Sequence, residues 1–335
     1  MSERRDVRFA MAALCSTIGV TWAAIGAAQS PLRLVQTIAL PGVEGRIDHM
    51  ALDSQGGRLF LAALGSNALM VVDLRAGRGI RSVTGFHEPQ GVGFVASPPR
   101  VFVSNGGDGT VAVLDADSYR TLRTVQLGDD ADNVRVDVSA GRVLVGFGTG
   151  GLATLDAGSG ELLGRIELPG HPEAFQLQSA GPRVFVNVPD SNQVDVVDRV
   201  RQAVVARWRL DSQANFPMAL DSAGHRVFVG CRKPALLVVL DSETGRKLAT
   251  LPIDGDVDDL YFDAHGHWLY ASCGSGFVDV IEASSGGSPR LVVQTPTAAG
   301  ARTSQFDPAM RRLYVAVPHR GARIAELQVF EVAQP

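Results

Sequence analysis

Cysteine is scarce in this chain: three residues in 335, too few for a disulfide framework. Aromatic residues make up only 6% and tryptophans number three, which disfavours a surface built to stack nucleobases. Positive charge is not in excess. The formal net charge is −4, which excludes the broad basic footprint of a nucleic-acid binder. There is no Cys-x-x-Cys-His segment for covalent haem and no Gly-rich phosphate loop. After residue 28 no apolar run approaches the length of a spanning helix. What is abundant is glycine (37) and proline (17), beside 45% hydrophobic residues. That balance excludes a disordered chain and fits a protein with many tight turns.

The first residues read as an export signal over 1–28. Arg4, Arg5 and Arg8 precede an uncharged, largely apolar run from Phe9 to Ile25, and Gly26-Ala27-Ala28 offers small residues for cleavage before Gln29. An uncleaved membrane anchor is the competing reading, because the run nears spanning length. Lipid attachment at Cys15 is disfavoured by Leu14 beside it. Cleavage would leave 307 residues carrying a net charge of −5, with no membrane span, in the periplasm or outside the cell.

The rest of the chain is a repeat. An Arg-led run of branched and aromatic residues recurs as Arg58-Leu59-Phe60-Leu61, Arg100-Val101-Phe102-Val103, Arg183-Val184-Phe185-Val186 and Arg226-Val227-Phe228-Val229, with related runs at Arg142, Trp268 and Arg312. The steps are 42, 42, 41, 43, 42 and 44 residues. An apolar pair ending in an acid follows each one, as in Val72-Asp73, Leu114-Asp115 and Leu240-Asp241. Each copy reads as four short strands, A to D, separated by polar turns. Seven copies of that size predict an all-β, seven-bladed β-propeller with four antiparallel strands per blade. Leu32 to Leu40 looks like a displaced D strand and the last copy stops at strand C, near Phe330. The N-terminal strand is therefore expected to complete the last blade and close the ring, making residues 29–335 one domain, expected to be monomeric.

The repeated Arg-Val-Phe-Val…Val-Val-Asp…Thr-Gly pattern resembles the YVTN-type β-propeller repeat family. With the leader, the chain is similar to YncE-like secreted propellers. The resemblance covers nearly all of residues 29–335. It implies architecture rather than activity, since related propellers include binding proteins, lactonases, lyases and redox-partner domains.

Antiparallel strands put D–A and B–C loops on one face and A–B and C–D loops on the other. The second face is bland. His225, His265 and His267 sit there in A–B turns and read as solvated turn residues, with a metal clasp from His265 and His267 as the minor reading. On the first face each blade carries a different polar set. Aligning the blades on the Asp that ends strand A puts His49, Asn133, Asp259 and Thr303 at one level, and Asp48, Asp132, Asp258 and Arg302 at the next. These levels become rings at the mouth of the central channel. Arg46, Arg135, His171, Glu173 and Asn215 join them, and the B–C loops add Asn105, Asn187, Asp190, Arg232 and His319. Hydrated channel polars paired with one another are the bland alternative.

Three chemistries fit such a face. Arg46, Arg135, Arg232 and Arg302 can grip a carboxylate or phosphate. Asp48, Asp132, Glu173, Asp258 and Asp259 can hold a hard divalent cation such as Ca²⁺ or Mg²⁺. His49 beside Asp48, or His171 near Glu173, can act as an oriented base. The leading expectation is an exported binding protein for an anionic or polar small ligand or a protein partner. The alternative is a metal-assisted, lactonase-like hydrolase or lyase on the same face. Cys231 and Cys273 fall at equivalent positions of neighbouring blades. They read as two small buried residues, with a disulfide or thiolate metal binding as the alternatives.

Overall fold

The computed structural model describes residues 30–284 and 286–333. The leader read at residues 1–28 lies outside the described residues. The described chain forms seven four-stranded antiparallel sheets, each following chain order from the channel outward except the last. Blade 1 is Met50–Asp53, Arg58–Ala63, Ala68–Asp73 and Arg78–Thr84. Blade 7 takes its three inner strands from Thr303–Asp307, Arg312–Val317 and Glu326–Val332. Its outer strand is Leu32–Ala39, paired antiparallel with the C strand in the register Leu34↔Phe330 and Ile38↔Leu327. The expected closure by the N-terminal strand is thus formed.

Burial follows strand position. The B strands are almost wholly buried, as at Val101, Phe102 and Val103. The outer strand Ala203–Arg209 alternates between exposed and half-buried residues. The core lies between blades: Ile38, Tyr314 and Leu327 of blade 7 pack with Leu59, Leu61 and Met70 of blade 1. Each such side chain contributes about 1.5–3 kcal/mol through apolar area removed from water.

The repeated polar residues have repeated jobs. The Asp ending strand A caps the A–B turn: Asp53 Oδ1 accepts the Gly56 N–H at 2.8 Å, and Asp221 Oδ1 the Gly224 N–H at 2.8 Å. The Asp ending strand C does the same for the C–D turn, Asp241 Oδ1 accepting from Thr244 N at 2.8 Å. The Arg opening strand B clasps the next blade. Arg58 donates to Ala116 O (2.6 Å), Arg183 to Ser242 O (3.0 Å) and Arg226 to Ala283 O (2.6 Å). These bonds satisfy turn carbonyls that the sheets leave unpaired.

The inner strands are irregular near the channel mouth. Their pairing with strand B shifts register between Pro89 and Val92, Ala131 and Val134, Asn215 and Met218, and Val257 and Asp259. A bulge breaks the two-residue alternation and re-aims side chains. Asp132, Asn133, Phe216 and Asp258 lie in these shifts, and all four line the cavity at the mouth.

Candidate functional site at the channel mouth

That cavity has a volume of about 190 Å³. It gathers Arg46, Asp48, His49, Asp132, Asn133, His171, Glu173, Arg232, Asp258 and Arg302, together with Gln90, Asp130 and Phe216. Below it lies a second cavity of about 460 Å³ inside the channel. His49 lines both, so its imidazole stands at the junction of the two.

Blade 1 presents Asp48 and His49 on backbone pinned at three points. The Asp48 N–H donates to Ala62 O at 2.8 Å, the Ala62 N–H to His49 O at 3.0 Å, and the His49 N–H to Gln90 O of blade 2 at 3.1 Å. Blade 3 presents Asp132 from its bulge, and the Ser104 hydroxyl of blade 2 donates to the Asp132 carbonyl. Gly91 permits this approach, since a Cβ there would lie 2.2 Å from Asp132 O. Glu173 follows a loop anchored by its N–H to Asn187 O at 3.0 Å.

The guanidiniums at the mouth are already committed. Arg46 Nη2 is 2.6 Å from Asp48 Oδ2. Arg302 reaches Asp256 through Nη1 at 2.8 Å and Asp258 through Nε at 3.0 Å. Arg232 pairs with Asp258, donates from Nε to Val257 O at 2.8 Å, and lies 4.0 Å over the Phe216 ring. His49 sits among three carboxylates. Its Nε2 is 3.7 Å from Asp48 Oδ1 and 3.8 Å from Asp132 Oδ1, and its Nδ1 is 3.8 Å from Asp259 Oδ1.

Across the mouth, His171 Nδ1 lies 2.7 Å from Gly148 O, and Nε2 is 3.7 Å from Asp132 Oδ2. Asp132, His171 and Glu173 each offer a donor atom within 4.8 Å of the others. Gln90 Nε2 donates to Asp130 Oδ1 at 2.8 Å, which holds a further acid beside His171.

Five carboxylates (Asp48, Asp130, Asp132, Glu173, Asp258), three guanidiniums (Arg46, Arg232, Arg302) and the imidazoles of His49 and His171 share the cavity wall, and burial dominates the proton affinities of the raised acids. Burial pushes Asp48 up to about 8 despite the opposing pull of Arg46, with Asp132 adding repulsion. Burial and then the nearby Asp132 push Glu173 up to about 8. Burial also raises Asp259 to about 7. Asp132 goes the other way: burial would raise it, but His171, His49 and Arg46 together hold it below the usual range. For His171, burial would lower the value, but Asp132 and the Gly148 carbonyl raise it to about 9.

Several expectations need correction. Asn215 does not line the mouth. It is buried, and its Nδ2 donates to Asn187 Oδ1 (3.1 Å) and Gln193 O (2.9 Å). Arg135 faces the inner cavity with Asp259 and Tyr261, its guanidinium 5.7 Å over the Phe175 ring. Of the five acids considered for a hard cation, Asp48 and Asp258 are paired with arginines. Asp259 lines the inner cavity and accepts the Ser304 N–H at 2.7 Å. Only Asp132 and Glu173 remain, and His171 joins them. Among the B–C loop residues only Arg232 lines the mouth; Asn105 bonds Thr110, and His319 Nδ1 lies 2.9 Å from Glu44. Cys231 and Cys273 are free and buried, and burial pushes the Cys231 thiol up to about 12. Asp130, which has no counterpart among the aligned levels, joins the wall together with Gln90 and Phe216. The Pro-Gln and Phe-Pro steps at strand-A starts were the available signal for the last two.

The ring and its mouth define a β-propeller with an acidic, blade-specific channel pocket. A scan against protein-family models finds no match. The chain is 23% identical over 184 residues to the uncharacterized protein YncE of Salmonella typhimurium, and equally to that of Salmonella typhi. The match covers 53% of this chain and 52% of the relative, so the chain spans about half the length of the curated relatives it matches. Among solved structures, it resembles Kuenenia stuttgartiensis hydrazine synthase with a TM-score of 0.73 and 17% identity, covering 83% of this chain and 93% of that one. It also resembles a chain of a mitotic checkpoint complex with a TM-score of 0.76 and 14% identity, covering 97% and 99%. Those structural likenesses show the fold alone. The seven-bladed ring and the YncE match together support a YncE-like propeller. Among the described residues no helix is long and apolar enough to cross a membrane.

Proposed function

We propose that this propeller is an exported binding protein whose channel mouth takes a small polar ligand through a cationic centre. The observation that carries this reading is how the wall's groups are paired: each of its three guanidiniums already faces a carboxylate, while Asp132 and Glu173 have no arginine partner among the described residues. A free anion would have to displace those pairs, whereas a cation would take the place of the protons that burial holds on Asp48 and Glu173. The leader pattern before Gln29 supports export.

The test uses protein recovered from the exported fraction, its start at Gln29 checked by intact mass. Calorimetry against a panel of metal cations, amines, amino acids and carboxylates follows. Cationic and zwitterionic members should bind, and Glu173→Gln should weaken them by about tenfold, the size of one lost charged hydrogen bond. Binding of carboxylates alone, lost on Arg46→Ala, would refute the reading. The hydrolase alternative draws on the same three-donor cluster. Turnover of a lactone or ester panel, abolished by His171→Ala, would replace binding by catalysis.

A further inference from the structure

We propose that Asp132, His171 and Glu173 form a binding site for one divalent first-row transition-metal ion of the Zn²⁺ class. This deepens the cationic reading of the mouth pocket and rests on it. The three side chains converge from the bulged inner strand of blade 3 and the loop before the inner strand of blade 4, and each offers a donor atom within 4.8 Å of the others.

Three features point to a metal rather than to a closed network of ion pairs. The first is spacing. Asp132 Oδ2 and His171 Nε2 form only a loose ion pair at 3.7 Å, longer than a hydrogen bond. Two donors bonded to one tetrahedral ion at about 2.1 Å lie about 3.4 Å apart, so this gap already approaches that separation. The second is the histidine. Its Nδ1 lies 2.7 Å from the Gly148 carbonyl. That bond fixes a proton on Nδ1 and turns Nε2 toward Asp132, so Nε2 is the nitrogen that would ligate on giving up its own proton, as the outer bond of a metal-ligating histidine arranges. The third is unspent acceptor capacity. Asp132 Oδ1 and Asn133 Oδ1 are buried and have no hydrogen-bond partner among the described residues. Asp132 is only 6% exposed and Asn133 1%, and both line the same cavity. A buried acceptor left unpaired costs about 1–3 kcal/mol, and a bound ion with its water would satisfy these.

The donor set selects the ion. One imidazole and two carboxylates suit zinc, manganese or iron. Calcium takes six to eight oxygens; of the other carboxylates nearby, Asp48 and Asp258 are held by arginines, Asp130 by Gln90, and Asp259 faces the inner cavity. Three protein donors leave coordination positions open toward the mouth for water or a ligand donor.

The test is titration of the full mature protein, stripped with chelator, with Zn²⁺, Mn²⁺, Ca²⁺ and Mg²⁺ by calorimetry, with elemental analysis after dialysis. One Zn²⁺ per chain is expected, bound at least about a hundredfold more tightly than Ca²⁺ or Mg²⁺. His171→Ala and the near-isosteric Glu173→Gln should each weaken it by at least about tenfold. His265→Ala, on the opposite face, should not. Co²⁺ loaded in place of zinc should give a d–d absorption band that His171→Ala removes, and circular dichroism establishes that the variants are folded. No stoichiometric zinc, or zinc uptake indifferent to His171 and Glu173, overturns the inference. If zinc fails but an amine or amino acid still binds in a Glu173-dependent way, the metal site falls and the cationic pocket stands. If nothing binds through Glu173, both fall.

Discussion

Arg226→Ala should destabilise the ring far more than Arg142→Ala, although the two residues hold the same position in the repeat. Arg226 is 7% exposed and its partner Asp221 6%. Its guanidinium donates twice to Asp221 Oδ2, at 3.1 and 2.8 Å, and crosses to blade 6 at Ser284 O (3.1 Å) and Ala283 O (2.6 Å). It also lies 5.1 Å over the Phe228 ring. Truncation leaves a buried carboxylate with one oxygen unpaired and two turn carbonyls without donors. Breaking a buried pair in this way costs about 3–5 kcal/mol. Gly224 N still serves Asp221 Oδ1, so the lower end, about 3 kcal/mol, applies. The Arg142 side chain is 40% exposed, and its salt bridge reaches only Asp156 of its own blade, at 3.0 Å. An exposed pair of that kind contributes about 0–1 kcal/mol. Guanidinium chloride unfolding of both variants reads the difference as a shift in midpoint. Equal midpoints would refute the view that the repeated arginine acts chiefly as a clasp between blades.

Two further outcomes follow from the same contacts. Asp48 and Asp259 have folded values of about 8 and about 7, above their ordinary 3.8. An acid raised on folding stabilises fully below its unfolded value and loses that contribution as pH climbs through its folded value. The melting temperature of metal-free protein should therefore fall between about pH 4 and pH 8, and Asp48→Asn should flatten that slope; calorimetry showing a rise instead would contradict the burial argument. Deleting Leu32–Ala39 removes Leu32 and Ile38, both buried, and bares the edge of Glu326–Val332. The loss should be about 3–6 kcal/mol from the two side chains alone. It would be seen as aggregation or early unfolding, and a soluble, cooperatively folded deletion variant would argue against ring closure as a source of stability.

The sequence made the scaffold legible because each marker has one recurrent physical task. The Arg-led runs become buried B strands, the terminal Asp residues cap turns, and the displaced Leu32–Leu40 segment had an unfilled place waiting beside the last C strand. The mouth was legible only as a list of unusual residues. Strand alternation alone would send Asp132 and Asn133 to opposite faces, and the bulge that lets both line one cavity leaves no clear mark in sequence. Ion pairing was hidden for another reason. Arg302 and Asp256 are 46 residues apart, so which arginine remained free for a ligand depended on how adjacent blades meet. Asn215 shares the loop position of the mouth residues, yet its amide turns inward to Asn187 and Gln193.

Scaffold and mouth carry opposite electrostatic designs, and that opposition bears on function. Around the ring, carboxylates such as Asp53 and Asp221 each meet an arginine and a turn N–H. At the mouth, acids exceed their partners and three of those near the junction are pushed up by burial. Ionising those buried acids costs the folded state free energy, and the cost grows as pH rises. A ligand that supplies the missing positive charge binds the folded ring and not the unfolded chain. At a hundred times its dissociation constant such a ligand returns about 2.7 kcal/mol of stability. The loss of stability with rising pH and the gain on adding a cation are then two readings of one charge deficit. Neutralising Glu173 or Asp132 should diminish both together, whereas a merely hydrated channel would couple neither to the other.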